Sequence, residues 1–364
     1  MQIIYQGIDY LNEALKGSTK VLLVCGSSFP YLGIKDKIEH IGTPFMVFDQ
    51  FTSNPLYEDI CRGVDLFQIT QCDTILAIGG GSSMDVAKCV KLYCQMSKDK
   101  PYLQQEYKDT GVKLIAIPTT GRLQGLNLPA MPLFINDGKK QSVMHKSIIP
   151  DVVILEPKLL KTLPVYQKKC TMLDALCQGI ESWWSVNSTD ESKRYSKIAV
   201  ETIIKYWREY IFENTDFSAE QIMLAANYAG RAICITQTTA AHAFSYKITS
   251  LYKLPHGHAV AVGLSEIWEY MLLNMNKCLE PRGEEYLWGI FADISKAMGC
   301  LTLEQAVVKF RQILTEMEIT NPVAINKTEE IEILSHSVNP VRLKNNPVEL
   351  CEFTIKSLYE IIIK

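Results

Sequence analysis

What the 364-residue chain lacks narrows its class first. No uninterrupted run approaches the ~20 apolar residues needed to cross a bilayer, and the mean hydropathy is only +0.02, so no membrane span is expected. Positive charge is not in excess: 37 Lys and Arg stand against 40 Asp and Glu, for a net charge of -3. A nucleic-acid binder would normally carry a basic face. No CxxC pair occurs among the 11 cysteines (Cys25, Cys61, Cys72, Cys89, Cys94, Cys170, Cys177, Cys234, Cys278, Cys300 and Cys351). That odd, scattered set fits reduced thiols in the cytoplasm better than a disulfide framework or a zinc ribbon, and most are expected to act as small core hydrophobes. The N-terminal stretch MQIIYQGIDYLNEALKG has no apolar core ahead of a small-residue cleavage site, so no secretory signal is expected. Internal repeats and low-complexity tracts are missing too. What remains is a soluble cytoplasmic protein, long enough for about two domains and of a size that favours an enzyme.

The two halves differ in texture. Through residue 157, short apolar runs alternate with helical spacing. Lys20–Cys25, Pro44–Phe48, Thr74–Ile78, Lys113–Ile117 and Val152–Leu155 read as strands, being rich in β-branched residues and bounded by Gly, Ser, Asp or Pro. Tyr31–His40, Tyr57–Gln71 and Ser83–Gln95 read as the helices between them. Such alternation predicts an α/β domain with a mostly parallel sheet, residues 1–157. From residue 158 to 364, long stretches rich in Ala, Leu, Glu and Lys (Val165–Ser185, Ser192–Phe212, Ala219–Leu251 and Leu303–Met317) predict an all-α domain.

The sharpest local signal is IGGGSSMDVAK, Ile78–Lys88, which directly follows a strand and opens a helix. Glycines there let the backbone approach a pyrophosphate, and the helix N-terminus supplies free N–H groups and partial positive charge. A turn that binds nothing has the same glycines, and the run is not the GxGxxG fingerprint.

This run resembles the GGGSxxDxAK signature of the iron-containing (group III) alcohol dehydrogenases, whose fold is like that of dehydroquinate synthase. The resemblance extends to Ser53-Asn54-Pro55, Ile117-Pro118-Thr119-Thr120, Leu173-Asp174-Ala175-Leu176 and Pro255-His256-Gly257, in family order over most of the chain. It implies a dinucleotide-binding α/β domain followed by a helical metal-binding domain. It further implies that Gly80, Gly81, Ser82 and Ser83 cradle the pyrophosphate and that Asn54, Thr119, Thr120 and Lys140 contribute to the nucleotide site, with Asp85 near the nicotinamide. After the first strand, NAD-preferring members carry an Asp for the ribose 2′-hydroxyl, whereas this chain has Gly26, Ser27 and Ser28. NADPH is therefore favoured somewhat over NADH, although Gly26 also suits a simple turn.

The metal ligands implied are Asp174, His242 and His256, with Gln178 where many members have a fourth ligand, His. Asp174 and Gln178 are four apart on a helix and share a face. One carboxylate and two imidazoles suit a divalent cation with an open position, and the loss of the fourth His shifts the preference from iron (Fe2+) towards zinc (Zn2+). Gln178 itself either ligates weakly or hydrogen-bonds a bound water. Tyr246 replaces another family His and either relays a proton or packs. His258 is an outer partner of the metal site, a contact for an anionic substrate, or an exposed loop residue.

The implied activity is NAD(P)-linked interconversion of a small aldehyde and its alcohol, by a homodimer or larger homo-oligomer. The runs around Asp174 and His256 look like the phosphonoacetaldehyde reductase (hydroxyethylphosphonate dehydrogenase) subgroup, which makes that aldehyde the first specific expectation. Lys247, Arg231, Arg342 and Lys344 are candidate cations for it by type alone. Two alternatives stand beside this. A dehydroquinate synthase-like lyase would typically place Glu at the first metal position and HGE after the last ligand, against Asp174 and His256-Gly257-His258 here. A catalytically impaired paralogue is the other, because residues 121–135 depart from the family. Pro129 and Pro132 sit where a strand is expected, and proline removes a ladder donor. One set of codons for Leu126–Ile135 reads ESTRYAVIY in another frame, which resembles the family strand, so the hypothesis is that this stretch is translated out of frame.

Overall fold

The computed structural model describes residues 2–52, 54–120, 130–136 and 139–364; of residues 130–133, 139 and 140 it describes only the backbone. The chain divides into two compact units, Met1–Leu163 and Pro164–Lys364. The division lies beyond residue 157, and the short helix Lys158–Lys161 belongs to the first unit.

In the first unit the strands are β1 (Ile3–Gln6), β2 (Val21–Cys25), β3 (Phe45–Phe48), β4 (Thr74–Gly79), β5 (Lys113–Pro118), β6 (Ala130–Asn136), β7 (Lys139–Met144) and β8 (Val152–Leu155). Six of them form one parallel sheet in the order β1-β8-β5-β4-β2-β3. Every residue of β2 and β4 is buried, as expected of strands covered on both faces. Two helices that matter for the site follow, α1 (Tyr57–Ile69) and α2 (Gly81–Tyr93). The strand β1 escapes the sequence pattern because its four residues carry no turn signal ahead of them; it lines the edge of β8, pairing Ile3 with Val152.

The chain winds from β2 outward to β3, then returns past β2 to β4 and proceeds the other way. The reversal between β2 and β4 is the point at which doubly wound sheets bind ligands, beyond the carboxyl ends of the strands. Gly26 follows β2 there, and Gly79–Gly81 close β4.

A strand does run through part of the proline-bearing segment, where the family pattern places one. β6 pairs antiparallel with β7, and the ladder breaks register between Ala130 and Leu133, across Pro132, where a residue without an N–H cannot donate. Pro129 and the rest of residues 121–129 lie outside the described residues.

The second unit is helical: α3 (Val165–Trp184), α4 (Asp190–Arg208), α5 (Asp216–Thr236), α6 (Ala240–Tyr252), α7 (His256–Leu273), α8 (Glu284–Ala297), α9 (Leu303–Glu316), α10 (Lys327–Ser335) and α11 (Glu352–Ile362). From Cys170 to its end α3 is buried throughout, packed against α4, α5, α7 and α8. The single helix expected over Ala219–Leu251 is in fact two. Gln237 takes φ 60 and ψ 177, a backbone conformation costly for a side-chain-bearing residue. Side chains rather than a continued ladder satisfy the freed backbone groups. Asn345 Nδ2 donates to the Thr238 carbonyl at 3.0 Å and Ser185 Oγ to that of Thr236 at 3.3 Å. The break lets α6 begin a new N-terminus directly beside α3.

Candidate metal centre and nucleotide loop

Three helices supply the candidate metal cluster within the second unit. Asp174 sits mid-way along α3, His242 on the first turn of α6, and His256 is the first residue of α7, directly after Pro255. Proline there fixes the entry angle of the chain and lacks the N–H that a helix start would leave unpaired. One carboxylate oxygen and one nitrogen from each imidazole all lie within 4.8 Å of one another. Asp174 Oδ1 is 3.3 Å from His242 Nε2 and 3.9 Å from His256 Nε2. Asp174 and His242 are buried and His256 is half-buried.

The donor set fits a divalent cation. His242 Nε2 is buried and makes no hydrogen bond among the described residues, a costly arrangement that a bound cation would relieve. Burial by itself pushes this imidazole down, but the Glu181 and Asp174 carboxylates reverse the direction and hold it up at about 9. A cation that binds Nε2 takes the place of that proton. Gln178 is buried one turn beyond Asp174 on the same face of α3.

The other residues singled out in this region take definite places. The Tyr246 ring stacks on His256, with centroids 5.9 Å apart and planes 10° from parallel, while 37% of the residue stays exposed. His258 is no exposed loop residue: it lies buried in the first turn of α7. Its Nε2 donates to the Thr320 carbonyl at 2.7 Å, so Nδ1 accepts from the Tyr166 hydroxyl at 2.8 Å. Burial pushes its imidazole down, and burial pushes the Tyr166 phenol up to about 12, so the pair is neutral at ordinary pH. With both nitrogens engaged, His258 is a packing element under the His256 turn rather than a mobile proton carrier. Arg231 lies over the rings of Tyr195 and Tyr228, while Arg342 donates to Gln237 Oε1 at 2.8 Å.

Two contributors were given no role by the sequence alone. Glu181, wholly buried on α3, bonds the α6 N-terminus and the His242 ring. Its signal was present, since seven residues beyond Asp174 is two turns along the same face. Gly257 is the second: a Cβ there would overlap the Cys170 carbonyl oxygen and stand 2.9 Å from Asp174 Cβ. The glycine is what permits α7 to approach α3.

In the first unit, the glycine run forms the expected strand-to-helix turn. Gly80 is the cap and Gly81, Ser82 and Ser83 make the first turn of α2. Gly79 takes φ +150, and a Cβ on it would overlap Ser83 Oγ. The Ser83 side chain is buried beneath Gly79 and Gly26, so toward a ligand this residue offers its backbone rather than its hydroxyl. The Thr119 amide donates to the Gly79 carbonyl at 3.0 Å, and Thr120 Cγ2 lies 3.4 Å from the Cβ position of Gly80. The structure therefore gathers Gly26, Gly80, Thr119 and Thr120 around one turn. Ser27 and Ser28 are exposed just beyond β2, Asn54 is exposed, and Asp85 is half-buried one turn further along α2. Ser53 and the Lys140 side chain lie outside the described residues.

A buried carboxylate with two imidazoles in one unit and a glycine-rich strand-to-helix turn in the other form a candidate metal centre and a candidate phosphate-binding turn. The sequence pattern of the family described as iron-containing alcohol dehydrogenase matches residues 3–157, and that of the Fe-containing alcohol dehydrogenase family, C-terminal, matches residues 169–363. The chain belongs to this family. It is 29% identical to a phosphonoacetaldehyde reductase of Streptomyces viridochromogenes, over 93% of this chain and 89% of the relative. It is 25% identical to an NAD-dependent methanol dehydrogenase of Bacillus methanolicus, over 91% of this chain and 89% of the relative. The fold matches a sulfoacetaldehyde reductase of Bifidobacterium kashiwanohense, solved in complex with NAD+, with a TM-score of 0.88 at 22% identity, over 99% of this chain and 96% of that one. Among the described residues, no helix is long and apolar enough to cross a membrane.

Proposed function

We propose that the protein is a metal-dependent, NAD(P)H-linked reductase of a small aldehyde, running in reverse as an alcohol dehydrogenase, with phosphonoacetaldehyde the first aldehyde to test. The convergence of Asp174, His242 and His256 within 4.8 Å carries this reading. Phosphonoacetaldehyde comes first because of the 29% identical relative. Fe2+ or Zn2+, when bound, supplies Lewis acidity toward a carbonyl oxygen, and the reduced nicotinamide supplies the hydride.

The chain's own residues do the rest. Asp174, His242 and His256 would hold the cation, with Gln178 one turn away to accept or donate a hydrogen bond. Tyr246 fixes the plane of the His256 ring and, being partly exposed where His258 is not free, is the side chain left to pass a proton with solvent. The first-turn amides of α2 would face the pyrophosphate, and Gly26, with no carboxylate after it, leaves room for either ribose form. The active species in this reading is a cytoplasmic homodimer or larger homo-oligomer.

Metal analysis of the purified protein, followed by a panel of aldehydes with NADH and NADPH, tests the proposal. Loss of the reduced-nicotinamide absorbance with an aldehyde, abolished by chelation and restored by Fe2+ or Zn2+, supports it. Nucleotide binding without turnover of any aldehyde would overturn it in favour of an impaired paralogue.

A further inference from the structure

We infer that Glu181 is the positioning residue of the metal centre: its carboxylate holds Nδ1–H of His242, so that Nε2 is the nitrogen turned toward Asp174. This rests on the metal reading above and goes beyond it, by assigning a task to a residue that is not itself a ligand.

Glu181 is 0% exposed. A carboxylate so deep is costly unless donors surround it. Four do. Oε1 accepts from the Thr239 amide at 3.1 Å, the Thr239 hydroxyl at 2.8 Å and the His242 amide at 3.3 Å. The two amides are buried donors that the new N-terminus leaves without a partner in the helix, and a carboxylate is well placed at such an end. Oε2 accepts from His242 Nδ1. Capping occupies one oxygen, and the imidazole has the other. Trp184 Nε1 donates to the Thr239 hydroxyl at 2.9 Å, which directs that hydroxyl's own proton toward Glu181.

The consequence follows from imidazole chemistry. In a neutral ring one nitrogen carries the proton and the other the lone pair. An ionised carboxylate only accepts, so its partner Nδ1 is the protonated one and Nε2 keeps the lone pair. The negative charge also strengthens Nε2 as a donor to a cation, the usual effect of a carboxylate behind a ligating histidine. The same contact fixes the ring plane on α6 relative to Asp174 on α3.

The test uses the full chain stripped of metal, with Co2+ as the probe, titrated in competition with a chelator and read by visible absorption. Glu181→Gln keeps an acceptor but loses the charge, and Glu181→Leu loses both. The Co2+ dissociation constant should rise about 10-fold in the first and about 100-fold in the second, with a changed visible spectrum. Thr239→Val removes one donor to Oε1 and leaves the His242 contact, so it should lower thermal stability while Co2+ affinity and spectrum stay those of wild type. Folded Glu181 variants with wild-type affinity and spectrum would overturn the inference and leave the metal reading intact. A wild-type chain that binds no Co2+ or Zn2+ would overturn both. Independently of any variant, NMR of the ring nitrogens in the Zn2+-loaded wild type should show His242 metal-bound through Nε2 with Nδ1 still protonated. Binding through Nδ1 refutes the inference even if no Glu181 variant folds.

Discussion

Gly257, in the first turn of α7, lies against the carbonyl of Cys170, one turn before Asp174 on α3, with no room for a β-carbon between them. The contact sets how near His256 comes to Asp174. Replacing Gly257 by alanine should therefore separate the two helices. Overpacking of this kind costs about 1–3 kcal/mol, partly offset by alanine's better helix propensity of about 1 kcal/mol. The expected outcome is a lower melting temperature together with weaker Zn2+ binding. Unchanged binding would show that the His256–Asp174 spacing does not depend on this glycine.

Gln178→His restores an imidazole one turn from Asp174. If the side chain reaches the ion, affinity for Fe2+ and Zn2+ should rise by more than the ~10-fold that an outer partner contributes. Competition titration measures this directly. An affinity equal to wild type would mean that the α3 face at position 178 stops short of the ion.

Gly79→Ala combines a backbone at φ +150 with overlap on Ser83 Oγ. The turn must shift, at a cost of about 1–3 kcal/mol. Calorimetric titration should find NADH and NADPH binding weakened together, while Zn2+ binding in the other unit is retained. Undiminished nucleotide affinity would argue that the α2 turn is not the pyrophosphate cradle.

Asp73 gives the first unit an acid-sensitive tie. Its Oδ2 accepts from the Thr19 amide at 2.8 Å and its Oδ1 from the Thr74 hydroxyl at 2.9 Å. Burial raises this carboxyl, but the Thr19 and Thr74 bonds outweigh burial and hold it below the usual 3.8. A carboxyl depressed by folding stabilises the native state above its unfolded pKa, and that contribution disappears as pH falls through the folded value. Asp73→Asn should thus be less stable than wild type near neutrality by about 1 kcal/mol, the gap closing as the pH drops below 4. A gap independent of pH would exclude the ionised carboxylate as its cause.

Sequencing the gene across codons 121–135 tests the shifted frame. Codons that yield ESTRYAVIY in another frame, flanked by compensating insertions or deletions relative to relatives, are the expected result. Unambiguous codons that encode nothing family-like in any other frame would establish the proline-bearing β6 as authentic.

Much of the fold was open to reading because it is written in local chemistry. Alternating apolar runs identify β2, β4 and β5, since buried parallel strands need continuous β-branched residues. The Gly79–Ser83 turn is equally local. The edge strand β1 was not legible, because four residues partnered from the far end of the unit carry no pattern of their own. Nor was the break at Gln237, where Asn345 and Ser185, both distant in sequence, take up the carbonyls of Thr238 and Thr236. His258 shows the same limit: its type and neighbours suggest chemistry, and only Tyr166 and Thr320 reveal that both nitrogens are spent.

The amino-acid sequence by itself determined the two-part architecture and the glycine-rich strand-to-helix turn, because both depend on side-chain type and short-range spacing, while the three candidate ligands came from the family resemblance. Tertiary structure alone decided that Glu181 faces the His242 ring, that Tyr246 lies flat on His256, and that Gly257 admits α7 to α3. Those relations join helices separated by long stretches of chain, and burial and hydrogen-bond satisfaction in the packed bundle select them.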